Sequence, residues 1–203
     1  MYISQYMEEV KPKTDIYILD NVITDEFCDT IKTIIDHIPG QQNDTYTENT
    51  NVICKNLNPY VSFENKDFAK VIDNEIHKIV GKITNKITEP SSISSGLNWV
   101  PPICNDSGYN LRKIHGATRC HIDDIFDGEQ PSYTRSELRQ MSVIIAINGD
   151  YDGGEFYFPR QDVKLKLKKG QVILFPPYWT HPHKTGELLN NTYRYTINTW
   201  LNY

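Results

Sequence analysis

The stretch "MSVIIAINGDYDGGEFYF" (141–158) decides the fold class. Its apolar first part, "MSVIIAIN" (141–148), reads as a strand, "NGDYDGG" (148–154) as a turn rich in Asn, Asp and Gly, and "EFYF" (155–158) as a second strand. The same texture continues outward. "YNLRKI" (109–114) stands upstream, while "VKLKLK" (163–168), "QVILF" (171–175) and "YRYTINTWL" (193–201) follow downstream. Between them lie "KKG" (168–170) and "PPYWTHPHKTGELLNN" (176–191). Short strands at close intervals with Gly and Asn turns predict an antiparallel sandwich or barrel, not a parallel α/β sheet.

The first half has a different period. "TDEFCDTIKTIIDHI" (24–38) puts Phe27, Ile31, Ile34, Ile35 and Ile38 on one helical face, with Thr24 or Asp25 as N-cap. "KDFAKVIDNEIHKIVGKI" (66–83) does the same with Phe68, Ile72, Ile76, Ile79, Val80 and Ile83. "DIYILD" (15–20) reads as a strand, while 39–51 and 88–108 read as irregular connections. The expected architecture is mainly β with N-terminal helices, an α+β chain of one domain over 1–203. In it, residues 1–107 support a β core formed by 108–203.

Bulk properties narrow the function. A net charge of −5 on 203 residues argues against a nucleic-acid backbone as partner, since phosphate binding needs clustered Lys and Arg. The one basic run, "KLKLKKG" (164–170), alternates with Leu and reads as the solvated face of a strand. No apolar run approaches the 18 or more residues of a membrane span. "MYISQYMEEVKPK" (1–13) lacks an apolar leader core, and a cytoplasmic protein is expected. Cys28, Cys54, Cys104 and Cys120 have no metal-binding spacing and are read as reduced thiols.

In "RCHIDDIFDG" (119–128), His121 and Asp123 are two apart. On an extended segment positions i and i+2 share a face, so both can reach one ion. A further histidine would complete a two-His-one-carboxylate facial triad, the arrangement that leaves sites open on non-haem Fe(II). The candidates are His181 and His183 in "FPPYWTHPHKTG" (175–186). Eleven residues past His183 stands Arg194, a cation suited to a bidentate pair with a dicarboxylate.

These features together resemble the prolyl-4-hydroxylase-like branch of the Fe(II)/2-oxoglutarate dioxygenases. "HID", "NGDYDGGEFYF", "KKGQVILFPPYW", "PHKTG" and "YRYTINTWL" occur in that family's order, and "IYILDNVITDEFCDTI" (16–31) is similar to its opening strand and helix. The resemblance implies a double-stranded β-helix of jelly-roll or cupin-like type. It implies Fe(II) held by His121, Asp123 and a distal histidine, 2-oxoglutarate paired with Arg194, O2 as oxidant, and ascorbate as a further candidate. The implied reaction decarboxylates 2-oxoglutarate to succinate while hydroxylating a prolyl residue of a peptide or protein. A free amino acid or other small molecule is the alternative substrate. A jelly-roll binding module without turnover is the alternative from another class. Alignment on "PHK" selects His183 as distal ligand, and counting from "FPP" selects His181. The spacing to Arg194 favours His183.

The chain departs from the family pattern at two tyrosines that contact the co-substrate. One is replaced by Lys113, three before Gly116, and the other by Ala146. Tyr109, Lys113 and Arg139 are therefore the candidates to complete the 2-oxoglutarate pocket. His37, His77 and His115 read as structural, Trp179 and Trp200 as packing residues, and Asp124 as a hydrogen-bonding neighbour of the triad. The polar segment 127–138, with Tyr133 and Arg135, reads as a loop beside the metal motif.

Overall fold

The computed structural model describes residues 7–9, 14–39, 41–42, 54–88, 103, 105–123 and 138–203. The expected loops at 43–51 and 127–137, with Asp124, Tyr133 and Arg135, lie outside the described residues. In chain order the elements begin with β1 (Met7–Glu9), β2 (Tyr17–Leu19), α1 (Asp25–His37), β3 (Gln41–Gln42), β4 (Cys54–Leu57), α2 (Pro59–Ser62) and α3 (Lys66–Thr88). Then come β5 (Asn105–Asp106), β6 (Asn110–Ile114), β7 (Thr118–His121), β8 (Arg139–Ala146), β9 (Asp152–Gly153) and β10 (Phe156–Phe158). The last are β11 (Val163–Leu165), β12 (Val172–Phe175), β13 (His183–Thr185), β14 (Leu188–Leu189) and β15 (Arg194–Asn202).

Two antiparallel sheets face each other. The larger runs β1-β2-β12-β8-β15-β6-β4-β3, with β5 added to β15, and the smaller runs β11-β10-β13-β7. A two-stranded pair, β14-β9, lies beside them. This is the double-stranded β-helix that the family resemblance implies, within the sandwich or barrel class expected from the strand spacing. The first half of the chain contributes to the same large sheet, since β2 pairs with β12 and β4 with β6.

Strand alternation divides the large sheet into two surfaces. On β15, Tyr195, Ile197 and Leu201 join the core shared with the helices. On β8 the same role falls to Met141, Val143 and Ile145, and at β6 to Leu111 with Tyr109 just before the strand. The opposite face of β8 and β12 sends Ile144, Ala146, Ile173 and Phe175 against Phe156 and Phe158 of the small sheet. Helix α1 covers the first face through Cys28, Ile31, Ile34 and Ile35, with Thr24 as N-cap accepting from the Phe27 amide at 3.3 Å. Helix α3 buries Ala69, Ile72, Ile76, Val80, Ile83 and Ile87. Phe68, expected on that face, is instead 40 % exposed and stacks on Phe63 at 5.7 Å.

The "DYDGGE" turn needs its glycines. Gly153 and Gly154 have φ of 69° and 68°, the left-handed region. A Cβ on Gly154 would also meet Leu188 at 2.6 Å, and one on Gly153 would meet the Glu187 carbonyl. Lys164, Lys166 and Lys168 are exposed, as the alternation of "KLKLKKG" predicts. Among the described side chains Cys28 and Cys120 are free thiols. No helix among the described residues is long and apolar enough to cross a membrane.

Candidate active site

His121 ends β7, and His183 begins β13. The two strands pair antiparallel with His183 directly opposite His121, so both imidazoles rise from the same face of the small sheet. Their ring centroids are 4.4 Å apart. Asp123 follows two residues later, and its Oδ1 lies 3.5 Å from His121 Nε2 and 3.7 Å from His183 Nε2. One ligand atom from each residue falls within 4.8 Å of the other two, close enough for one ion to be shared.

Each ligand atom is held in a donor state by its neighbours. His121 Nδ1 is 2.8 Å from the Arg119 carbonyl, and His183 Nδ1 is 3.1 Å from the His181 carbonyl. A carbonyl only accepts, so both Nδ1 atoms carry the proton and both Nε2 lone pairs face the shared point. Ser142, on β8, donates to Asp123 Oδ2 at 2.7 Å and leaves Oδ1 for the ion. Burial by itself would raise the Asp123 carboxyl. Its contacts with the His121 and His183 rings and with the Ser142 hydroxyl outweigh burial and hold the group well below the usual carboxylate range. For His183, burial pushes its pKa down, so the ring stays neutral near pH 7. Two imidazoles and one carboxylate on one side of a point are a donor set that fits Fe(II).

The triad opens on a cavity of about 260 Å³ between the sheets. Arg194, 2 % exposed, reaches into it from the start of β15. Its Nη1 donates to the Gly154 carbonyl at 2.8 Å, its Nη2 to Thr185 Oγ1 at 3.3 Å, and its guanidinium lies 4.9 Å from the Phe156 ring centre. The positive φ of the two glycines thus aims a carbonyl that fixes this arginine. A buried guanidinium from the large sheet and a metal-binding triad on the small sheet, lining one cavity, suit a dicarboxylate that chelates at one end and pairs at the other.

His181 is elsewhere. A turn closed by the bond from the His181 amide to the Tyr178 carbonyl rotates its ring away from the His183 face. Its Nε2 donates to the Thr14 carbonyl at 2.8 Å and its Nδ1 meets Thr180 Oγ1 at 2.9 Å, so both nitrogens are engaged in packing the N-terminal segment. Lys113 and Tyr109 do not reach the cavity either, which corrects their expected part in the 2-oxoglutarate pocket. Both point to the helix side of β6 because the inward positions of that strand are 110, 112 and 114. Lys113 pairs with Asp36 at 2.6 Å. The Tyr109 hydroxyl donates to Asp106 at 2.7 Å beside His77 Nδ1. Arg139 does line the cavity. It donates to the Asp123 backbone carbonyl and lies 3.7 Å from the Trp200 ring centre, bracing the metal-binding segment.

Several residues escaped the sequence reading, chief among them Arg112, Asn110, Thr196 and Asn198 of the cavity lining and Ser142, which donates to Asp123. The signal for most of them was the period of two. Once Arg194 faces inward, Thr196, Asn198 and Trp200 follow, and their register partners on β6 are Arg112 and Asn110. Trp200, expected to pack the barrel, lines the cavity. Trp179 is 64 % exposed, with Arg160 4.9 Å from its ring centre.

Comparison with known proteins agrees with this geometry. Residues 109–202 match the family model of the 2OG-Fe(II) oxygenase superfamily. No curated protein matches the sequence. Among solved structures, the viral collagen prolyl hydroxylase of Paramecium Bursaria Chlorella virus-1, as its 2OG complex, superposes with a TM-score of 0.58 at 18% identity. The match covers 93% of this chain and 96% of that one. A Trichoplax adhaerens prolyl hydroxylase, bound to a hypoxia inducible factor oxygen degradation domain peptide fragment, gives 0.61 at 14% identity over 94% and 84%. The Pseudomonas putida prolyl-4-hydroxylase gives 0.55 at 12% identity over 94% and 93%. At these identities the structures speak for the fold, and the family match speaks for the chemistry. The family model thus likens residues 109–202 of the chain to the 2OG-Fe(II) oxygenase superfamily.

Proposed function

We propose that the protein hydroxylates a prolyl residue of a peptide or protein, with His121, Asp123 and His183 as the Fe(II) ligands and Arg194 as the anchor of 2-oxoglutarate. The observation that carries the reading is the triad, with both histidines on the small sheet, lining one cavity together with the buried Arg194 of the large sheet. The prolyl substrate is supported by the three structural relatives, each a prolyl hydroxylase, one of them holding a peptide.

When bound, Fe(II), 2-oxoglutarate and O2 would supply the oxidising chemistry, in which the keto acid loses CO2 and takes one oxygen atom of O2 to become succinate while the other enters a substrate C–H bond. The chain itself binds and orients. His121 and His183 keep their protons on Nδ1, and Asp123 supplies the negative charge that offsets the cation. Ser142 and Arg139 fix the Asp123 side chain and backbone respectively. Arg194 turns its fork toward the co-substrate, held by Gly154 and Thr185. Ile144 and Phe156 supply apolar wall that excludes water from the reacting end.

Anaerobic titration with Fe(II) and then 2-oxoglutarate tests the ligand set, through the weak visible charge-transfer band of the chelate. The band is expected in the wild type and in His181→Ala, and absent in His183→Ala. Loss of the band in His181→Ala with its retention in His183→Ala would reverse the assignment. Proline-containing peptides incubated aerobically are then expected to gain one oxygen atom by mass spectrometry. Gain only on free proline or another small molecule would move the substrate class.

A further inference from the structure

Outside its arginines, the cavity lining buries two side-chain atoms that have no hydrogen-bond partner in the described structure, Asn56 Oδ1 and Trp200 Nε1. Buried polar atoms are normally paired, and an unmet one in a cavity wall marks where a ligand completes the bonding. The Trp200 donor can be met by an oxygen of the co-substrate or of the substrate, so it does not tell them apart. The Asn56 acceptor does. At neutral pH 2-oxoglutarate carries only oxygen acceptors and has no N–H or O–H to give. The group that satisfies Asn56 therefore belongs to the substrate.

Register fixes where Asn56 stands. Its neighbours on β4 turn to the helices: Lys55 donates to the Ile35 carbonyl of α1, and Leu57 joins the core beneath. Asn56 is the inward position between them. It pairs with Arg112 of β6, which pairs in turn with Thr196 of β15, so the three form one row across the large sheet. The next row sets Asn110 opposite Asn198. Thr196 Oγ1 donates to Asn198 Oδ1 at 2.6 Å, which leaves the Nδ2 hydrogens of Asn198 as donors. This part of the lining is thus rich in carboxamides, neutral groups that accept and donate side by side. Such a group matches a peptide bond, taking its N–H at the oxygen and giving a hydrogen to a carbonyl.

We infer that Asn56 reads the main chain of the substrate, its Oδ1 accepting the N–H of a residue next to the reacting proline. The inference rests on the hydroxylase reading above and narrows its substrate to a chain rather than a free amino acid. A prolyl residue has no N–H of its own, so the neighbour that docks on Asn56 is not a second proline. Main-chain hydrogen bonds give affinity without regard to that neighbour's side chain.

The probes are an end-capped Ala-Ala-Pro-Ala-Ala peptide and two esters of it. In one ester lactate replaces the alanine before proline, and in the other the alanine after it. Each swap turns one amide N–H into an oxygen and keeps the side chain. Product mass and succinate are followed with the full chain, and binding is measured by calorimetry with Mn(II) in place of Fe(II) and 2-oxoglutarate present. One ester is expected to lose about tenfold in kcat/KM and in affinity, and its position identifies the docked residue. Asn56→Ala is expected to weaken the all-amide peptide by the same factor and to bring no further loss for that ester. A purely structural role would weaken all three peptides alike. Asn56→Asp keeps an acceptor in place and should keep the preference for the amide.

Equal handling of the three peptides by the wild type, or an ester penalty that survives Asn56→Ala, would overturn the inference while leaving the hydroxylase intact. Product on free proline with none on any peptide would do the same. If Asn56→Ala fails to fold, the wild-type series and Asn56→Asp decide. Absence of succinate and product from the wild type with every probe would sink the hydroxylase reading. Calorimetry then separates the two, since equal or absent binding of amide and ester would sink the inference as well.

Discussion

Ser142 governs how Asp123 presents itself. Its hydroxyl fixes one carboxylate oxygen at 2.7 Å and leaves the other for the ion, so Ser142→Ala should free the carboxylate to rotate. A weakening of Fe(II) or Mn(II) binding by about tenfold or more is expected, measured by metal titration. Unchanged affinity would mean that Arg139, acting through the Asp123 backbone, suffices. The two buried histidines set a pH response of the metal-free protein. Burial lowers the pKa of His181 and of His183 from 6.5, so the fold refuses protons that the unfolded chain accepts. Their contribution is neutral above about pH 6.5 and turns destabilising as pH falls below it. The urea midpoint should therefore be lower at about pH 5.5 than at about pH 7.5, and a flat profile would contradict the burial of these rings. The HxD pair was legible because its two members are local. Ser142 and Arg112 were not, because their roles depend on which face of a strand the register turns inward.

The alternation within a strand explains both what the sequence revealed about the elements and what it hid. Long apolar stretches such as 141–148 and the helical faces of α1 and α3 announced themselves through period. Strand β7, "TRCH", and strand β4, "CKNL", have no apolar pattern, since their partners and not their own side chains define them. The distal histidine was legible only as one of two, because a turn at 178–181 breaks the extended geometry that would have put His181 and His183 on one face. Pairing His183 with His121 is itself an element-scale device, since a slip of one residue would send one ring to the opposite face. Lys113 tests the alternation on β6. Lys113→Ala should leave the KM for 2-oxoglutarate unchanged and cost at most about 1 kcal/mol, because its pair with Asp36 is partly exposed. A rise in that KM would mean that Lys113 and not Arg112 faces the cavity.

For the whole molecule, the triad joins strands that are far apart in sequence, β7 and β13, with a residue braced from β8. An ion bound there stabilises the native state alone. At a free concentration one hundred times its dissociation constant, Mn(II) should add about 2.7 kcal/mol, raising the melting midpoint by roughly 5–10 °C for a chain of this size. Asp123→Ala should abolish the rise, and a rise that persists would place the ion elsewhere. The large sheet has a further consequence for how such a protein can change over generations. Residues 111, 195 and 197 hold the helices, while 110, 112, 196 and 198 face the cavity, so neighbouring codons of one strand answer to separate selection pressures. Taste for a new substrate can drift on the even positions without eroding the scaffold written on the odd ones.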